Sequence, residues 1–445
     1  MKIQKNVSRM ATWLLPGLQV KRWFFMAFLG TFLLSLGTAI TLELHPVHMS
    51  IELVKQVAAN TPSTVTGSIF IATGLFIILF GLKNVNSSIM DAIDPGERAH
   101  LLENLYRRRK LNRGPKIVAI GGGTGLSTIL KGLKRITNNL TAVVTVGDDG
   151  GSSGRLREEM GVLPPGDIRN CIAALANEED LVTELFQYRF KTGSGLEGHS
   201  FGNLFLSALC AITGDMVTAV KESSKVLAIR GNVLPATLDD MRLVAELEDG
   251  RVILGESQIP EAYGKIKRLK TEPAHLKALD DVVQAIQAAD LIILSPGSLY
   301  TSVIPNLLIE DISKAISESK AKKIYICNVM TQPGETDNYT VSDHVKAIIK
   351  HSKYKNIIDA VLVNDSLPKN LALKYKAVNS MPVKFDIEKL KKLGVKVVIK
   401  RLIEENKHGY VRHSPRKLAK AIYTWYKSNN QESQEVKYSR KRIKE

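Results

Sequence analysis

From residue 116 onward the chain alternates short runs of fully apolar, β-branched residues with longer segments of helical period. KIVAI (116–120) leads into GGGTGLS and then the helical pattern TILKGLKRI, and TAVVTVG (141–147) follows as the next strand. This β–turn–α–β unit opens a doubly wound sheet. LIILS (291–295) repeats the construction, with PGSLYTS after it and a helix predicted from about 303 to 319. KKIYICNVM (322–330), IIDAVLVND (357–365) and VKVVIK (395–400) read as further strands, with helices near 342–351 and 386–393. The segment 233–257 alternates instead, and its Asp249-Gly250 pair signals a hairpin. The pattern predicts an α/β fold: a doubly wound, mostly parallel sheet with a small antiparallel insert.

The amino-terminal pattern differs. Residues 23–42 and 65–82 are uncharged and apolar, each long enough for a helix of roughly 30 Å. The expectation is a membrane anchor over 1–84, a two-helix transmembrane hairpin in contact with lipid. Basic residues flank the pair: Lys2, Lys5, Arg9, Lys21 and Arg22 before, and Lys83, Arg98 and Arg107 to Lys110 after. The loop between has only Lys55 against Glu43 and Glu52. The positive-inside rule then gives a multi-pass protein of the bacterial inner membrane with its main domain in the cytoplasm. Residues 85–114 read as a basic linker, lying against anionic headgroups or forming a solvated helix face. A ligand-binding domain would occupy 115–427, with a polar, disordered tail over 428–445.

Charge and cysteine content narrow the classes. The net charge of +17 is uneven, with 16 Lys/Arg against 5 Asp/Glu in 391–445. Nucleic-acid binding through this basic region is disfavoured, because its aromatics (Tyr423, Trp425, Tyr426) cluster as in helix packing. Cys171, Cys210 and Cys327 lack metal-ligand spacing and read as buried thiols.

The candidate chemistry lies in the loops. Gly122, Gly123, Thr124, Gly125 and Leu126 follow a strand and open a helix, where backbone N–H groups and the helix terminus favour an anion. A tight strand–helix turn would also call for glycines. Gly297 and Ser298 make the same construction later in the chain, with Ser298 and Thr301 as candidate caps. VGDDGGSSGRLR (146–157) places Asp148 and Asp149 at a strand's carboxyl end, fit for ribose hydroxyls or a hydrated divalent cation. Its small residues, Ser152 among them, read as a mobile flap, and Arg155 and Arg157 supply forked phosphate donors; a solvated turn with internal ion pairs is the alternative. In LPPGDIRNCIAALA, Asp167 reads as an N-cap, with Arg169 and Asn170 in the first turn of the helix. His199, Ser200 and Asn203 mark another helix start. No catalytic triad or metal motif appears, so catalytic residues stay unassigned.

Together KIVAIGGGTGLSTILKGLK, VTVGDDGGSSGRLR, LPPGDIRNCIAALA, HSFGNLFL, ILSPGSLYTSVIPNLL and NVMTQPGETDNYTVSDHV resemble the YvcK family of gluconeogenesis factors, relatives of the CofD-like 2-phospho-L-lactate transferases. The resemblance spans roughly 115–426. It implies a domain that binds UDP-N-acetylglucosamine and serves in regulation, tied to cell shape, peptidoglycan precursor supply and growth on gluconeogenic carbon. It also implies contacts to the nucleotide sugar from Tyr375 (in NLALKYK) and Arg412 (in GYVRHS). The amino-terminal hairpin departs from the family's usual start at the glycine loop. Two functions follow. One is a nucleotide-sugar sensor acting on cell-wall synthesis proteins, with a homodimer compatible. The other is a CofD-type transferase moving a phospho-acyl group with Mg²⁺ on Asp148 and Asp149.

Overall fold

The computed structural model describes residues 20–41, parts of 48–81, and 109–176, 180–365, 379–405 and 411–442. Tyr375 and most of the 85–114 segment lie outside the described residues. The chain divides into two compact units, Met1–Lys110 and Leu111–Glu445.

In the first unit one helix runs Val20–Thr41, and the described helical residues beyond it include 71–78. Among the described residues no helix is long and apolar enough to cross a membrane. This overturns the expected spans at 23–42 and 65–82, and with them the transmembrane hairpin, its lipid contact and the multi-pass inner-membrane location. Two features of the sequence bear on this. The first helix mixes its apolar residues with Gly30, Thr31, Ser35, Gly37, Thr38 and Thr41, and the Ser35 and Thr41 hydroxyls donate to the Thr31 and Gly37 carbonyls four residues back. The second stretch, 65–82, carries Thr66, Gly67, Ser68, Thr73, Gly74 and Gly81 among its apolar residues.

The second unit is built on a seven-stranded sheet. Its strands are β1 (Ile117–Gly121), β2 (Leu140–Val144), β3 (Asn232–Pro235), β7 (Leu291–Leu294), β8 (Lys322–Ile326), β9 (Ala360–Asn364) and β10 (Lys396–Lys400), in the order β10-β9-β8-β7-β1-β2-β3. Every pairing is parallel. Helices cover both faces, so the central strands are apolar throughout: β1 and β7 are buried at every residue. The edge strand β10 is half-exposed and carries a lysine at each end, which discourages further pairing. A second, antiparallel sheet has the order β5-β4-β6, from β4 (Arg242–Leu247), β5 (Val252–Leu254) and β6 (Ile266–Glu272). The Asp249-Gly250 turn joins β4 to β5, with Gly250 at φ 90°. β11 (Ile403–Glu405) and β12 (Val411–His413) form a two-stranded ribbon.

The expected fold class holds in its sheet and its insert. Two details differ. The insert was drawn too wide: residues 232–235 pair with β2 in the main sheet, where an edge position tolerates Pro235. The tail expected to be disordered continues a helix over Pro415–Arg442. Its QESQEVKYSRKR sequence has no Pro or Gly and is rich in helix formers.

Candidate functional site: the switch point between β1 and β7

β1 and β7 are neighbours, but the chain leaves them in opposite directions, through β2 and β3 on one side and through β8 to β10 on the other. The loops after β1 and β7 therefore splay apart at the carboxyl edge and form the crevice where open α/β sheets bind ligands. These are the two glycine loops singled out in the sequence. They touch. A Cβ on Gly125 would sit 1.8 Å from the Pro296 carbonyl oxygen, and one on Gly121 1.9 Å from Ser295 Oγ. Gly123, at φ 59°, takes a left-handed conformation that favours glycine and starts the Gly123–Leu133 helix.

Four carboxyl groups ring these loops. Asp167 lies in the first turn of the Gly166–Leu175 helix, and its Oδ2 accepts from Gly123 N–H at 2.6 Å. It is no N-cap: Pro165 holds that position, and the side chain is turned to the glycine loop instead. Burial, then the Asp148 charge, push Asp167 up to about 6, against the Gly123 N–H and Arg169. Glu335 is buried; it accepts from Ser298 Oγ at 2.6 and 2.5 Å and from Tyr300 N–H at 3.2 Å. Burial raises its pKa, opposed by these hydrogen bonds. Glu256 follows β5. Burial pushes it up to about 8, a Thr301 hydrogen bond opposes this, and the Asp148, Glu335 and Asp167 charges add to it. Asp148 completes the group; its Oδ1 accepts from Gly150 N–H at 3.0 Å. Glu256 thus holds its proton at neutral pH, which lowers the negative charge of the crevice. Among the described residues, no group of His, Cys, Asp or Glu could hold a metal ion.

The remaining candidates separate into those at the crevice and those that support it. Gly297, at φ 138°, is clamped by Asn328, which accepts from its N–H at 2.9 Å and donates to its carbonyl at 2.6 Å. Ser298 Oγ accepts from the Thr301 N–H and hydroxyl while donating to Glu335. The Thr124 carbonyl accepts from the Ser127 and Thr128 hydroxyls. Gly122 packs so close that a Cβ there would meet Asp167 Oδ2 and Thr145 Cγ2 at 2.6 Å. Leu126 points into the core and its N–H donates to the Gly122 carbonyl.

The expected flap is a helix, Gly151–Met160. Asp149 accepts from the Glu256 and Ser257 N–H groups, both at 2.9 Å, and so pins the segment that follows β5. Ser152 is buried, 3.0 Å from His199 Nδ1 and from Asn203 Nδ2, which donates to it. Arg155 donates to the Glu197 carbonyl, and Arg157 is tied to Asp240 and to the Met241 carbonyl. Arg157 is thus spent on the scaffold, while Arg155 is exposed and makes this one bond. Asn170 accepts from Arg169, whose guanidinium also reaches Ser200. Arg412 is exposed on β12, opposite Glu404. Sequence reasoning missed Glu256, Asn328 and Glu335. The last two stand in NVMTQPGETDNY, whose Asn, Gly and acidic residues after a strand were the available signal; Glu256 had none.

A family model described as 2-phospho-L-lactate transferase CofD matches residues 117–403. The Bacillus subtilis gluconeogenesis factor is 50% identical over 313 residues, 70% of this chain and 98% of its own. The chain belongs to the CofD-like YvcK family. A Nostoc relative is 53% identical over 426 residues, covering 95% of this chain and 93% of its own, so it shares most of the amino-terminal unit as well. A crystal structure of a UPF0052-family protein from Bacillus halodurans is 48% identical and superposes with a TM-score of 0.67, covering 69% of this chain and 98% of that one.

Proposed function

We propose that this CofD-like protein binds the nucleotide sugar UDP-N-acetylglucosamine in the β1–β7 crevice and acts as a regulatory protein. In this reading it links central carbon metabolism to cell-wall synthesis and cell shape. The observation that carries it is the pair of touching glycine loops at the sheet's switch point. The loop backbones and helix starts suit a diphosphate, and the acid with the most raised pKa beside them, Glu256, can accept from a sugar hydroxyl or donate to it. The name of the Bacillus subtilis relative supports the metabolic part. Calorimetry on the full chain tests the reading. UDP-N-acetylglucosamine should bind one-to-one with or without Mg²⁺, and more tightly than UDP or GDP. Absence of heat from the UDP-sugar would reject it.

The family model favours a second reading, phospho-acyl transfer with Mg²⁺ on Asp148 and Asp149. The pair does not fit that role. Both Asp149 oxygens face backbone N–H groups of the segment after β5, and Asp148 accepts from the Gly150 N–H. GDP binding that requires Mg²⁺ would restore this reading.

A further inference from the structure

A cavity of about 530 Å³ opens among residues at the amino ends of β8, β9 and β10, at the opposite edge of the sheet from the glycine loops. That volume lies within the range of small-molecule sites. Lys322 opens β8, Lys396 opens β10, and Lys355 lies in the turn after the Val341–Ser352 helix. Asn356 in that turn stands at φ 61°. Among the described residues none of the three lysines has an ion-pair partner. Asp359 is the single acid in the lining, and its carboxylate is held by the Lys323 N–H at 2.8 Å. Three lysines against one acid leave the wall with a net cationic excess. Trp425 and Ile349 supply an apolar side, Trp425 reaching it from the Pro415–Arg442 helix.

We propose that this cavity is a second ligand site, for a phosphorylated small molecule with an organic body, of the hexose phosphate class. Lysines bind phosphate as point charges, and three of them converge on one concave space. The apolar wall gives the organic body a surface that a bare phosphate leaves unused. The site is independent of the nucleotide-sugar reading, since it shares no residue with the crevice.

The test uses the full chain with Trp13→Phe and Trp23→Phe, which leaves Trp425 as the only tryptophan. Glucose 6-phosphate is titrated against glucose and inorganic phosphate while Trp425 fluorescence is recorded. The expected result is a saturable change with glucose 6-phosphate, a weaker response to phosphate and none to glucose. Lys355→Glu with Lys396→Glu, both at exposed positions, should weaken the response about tenfold or more. No saturable change up to about 10 mM, or a change that survives both charge reversals, would overturn the proposal.

Discussion

Glu256 sets a pH dependence that reaches both stability and binding. Its carboxyl is raised from 4.5 to about 8, chiefly by burial. A carboxyl raised in the folded state adds stability that is complete below its unfolded pKa and is lost as pH rises through the folded one. Each unit is worth about 1.4 kcal/mol. Between about pH 6 and about pH 8 this group alone should remove about 2 kcal/mol, a sizeable part of a typical stability of about 5–15 kcal/mol. Asp167, raised to about 6, acts with the same sign at lower pH. The assay is urea unfolding of the wild type and of Glu256→Gln across that range. The wild type should lose stability steadily, and the variant should show a clearly shallower slope because glutamine carries no proton to lose. The crevice should also bind an anionic ligand more weakly as Glu256 ionises, so affinity should fall in the same window. An unchanged slope in Glu256→Gln would refute the argument that Glu256 holds a proton at neutral pH.

Gly125→Ala would drive a Cβ into the Pro296 carbonyl; it should cost about 1–3 kcal/mol or more in urea unfolding and abolish ligand binding in calorimetry, since the loops must separate. Asp149→Ala removes the acceptors of the Glu256 and Ser257 N–H groups after β5 and should cost about 1–3 kcal/mol, with faster amide exchange at both residues. Arg157→Ala removes the side chain tied to Asp240, Asp148 and Met241; it should destabilise by about 1.5–3 kcal/mol and weaken binding only through that loss.

Much of this was legible in the sequence, for physical reasons. Strands covered on both faces read as unbroken apolar runs, so β1, β2, β7, β8, β9 and β10 stood out, and the loops after β1 and β7 announced themselves by glycine. β3 did not, because a four-residue edge strand ending in Pro235 has no periodicity to detect. For Arg157 the sequence shows a guanidinium but not the Asp240 carboxylate and Met241 carbonyl that occupy it. The raised pKa values of Glu256 and Glu335 were invisible, since their environment is built from residues distant in the chain: Glu256 is flanked by Asp148 and Thr301, and Glu335 by Ser298 and Tyr300. The amino-terminal reading rested on the length and apolar composition of two stretches, and among the described residues no helix is long and apolar enough to cross a membrane.

The central claim is that the two glycine loops form one nucleotide-sugar site. Amide hydrogen exchange with and without UDP-N-acetylglucosamine tests it most directly. The amides of 121–126 and of 297–301 should slow together, at the same ligand concentration. Protection of one loop without the other, or of neither while the ligand is bound elsewhere, would contradict it.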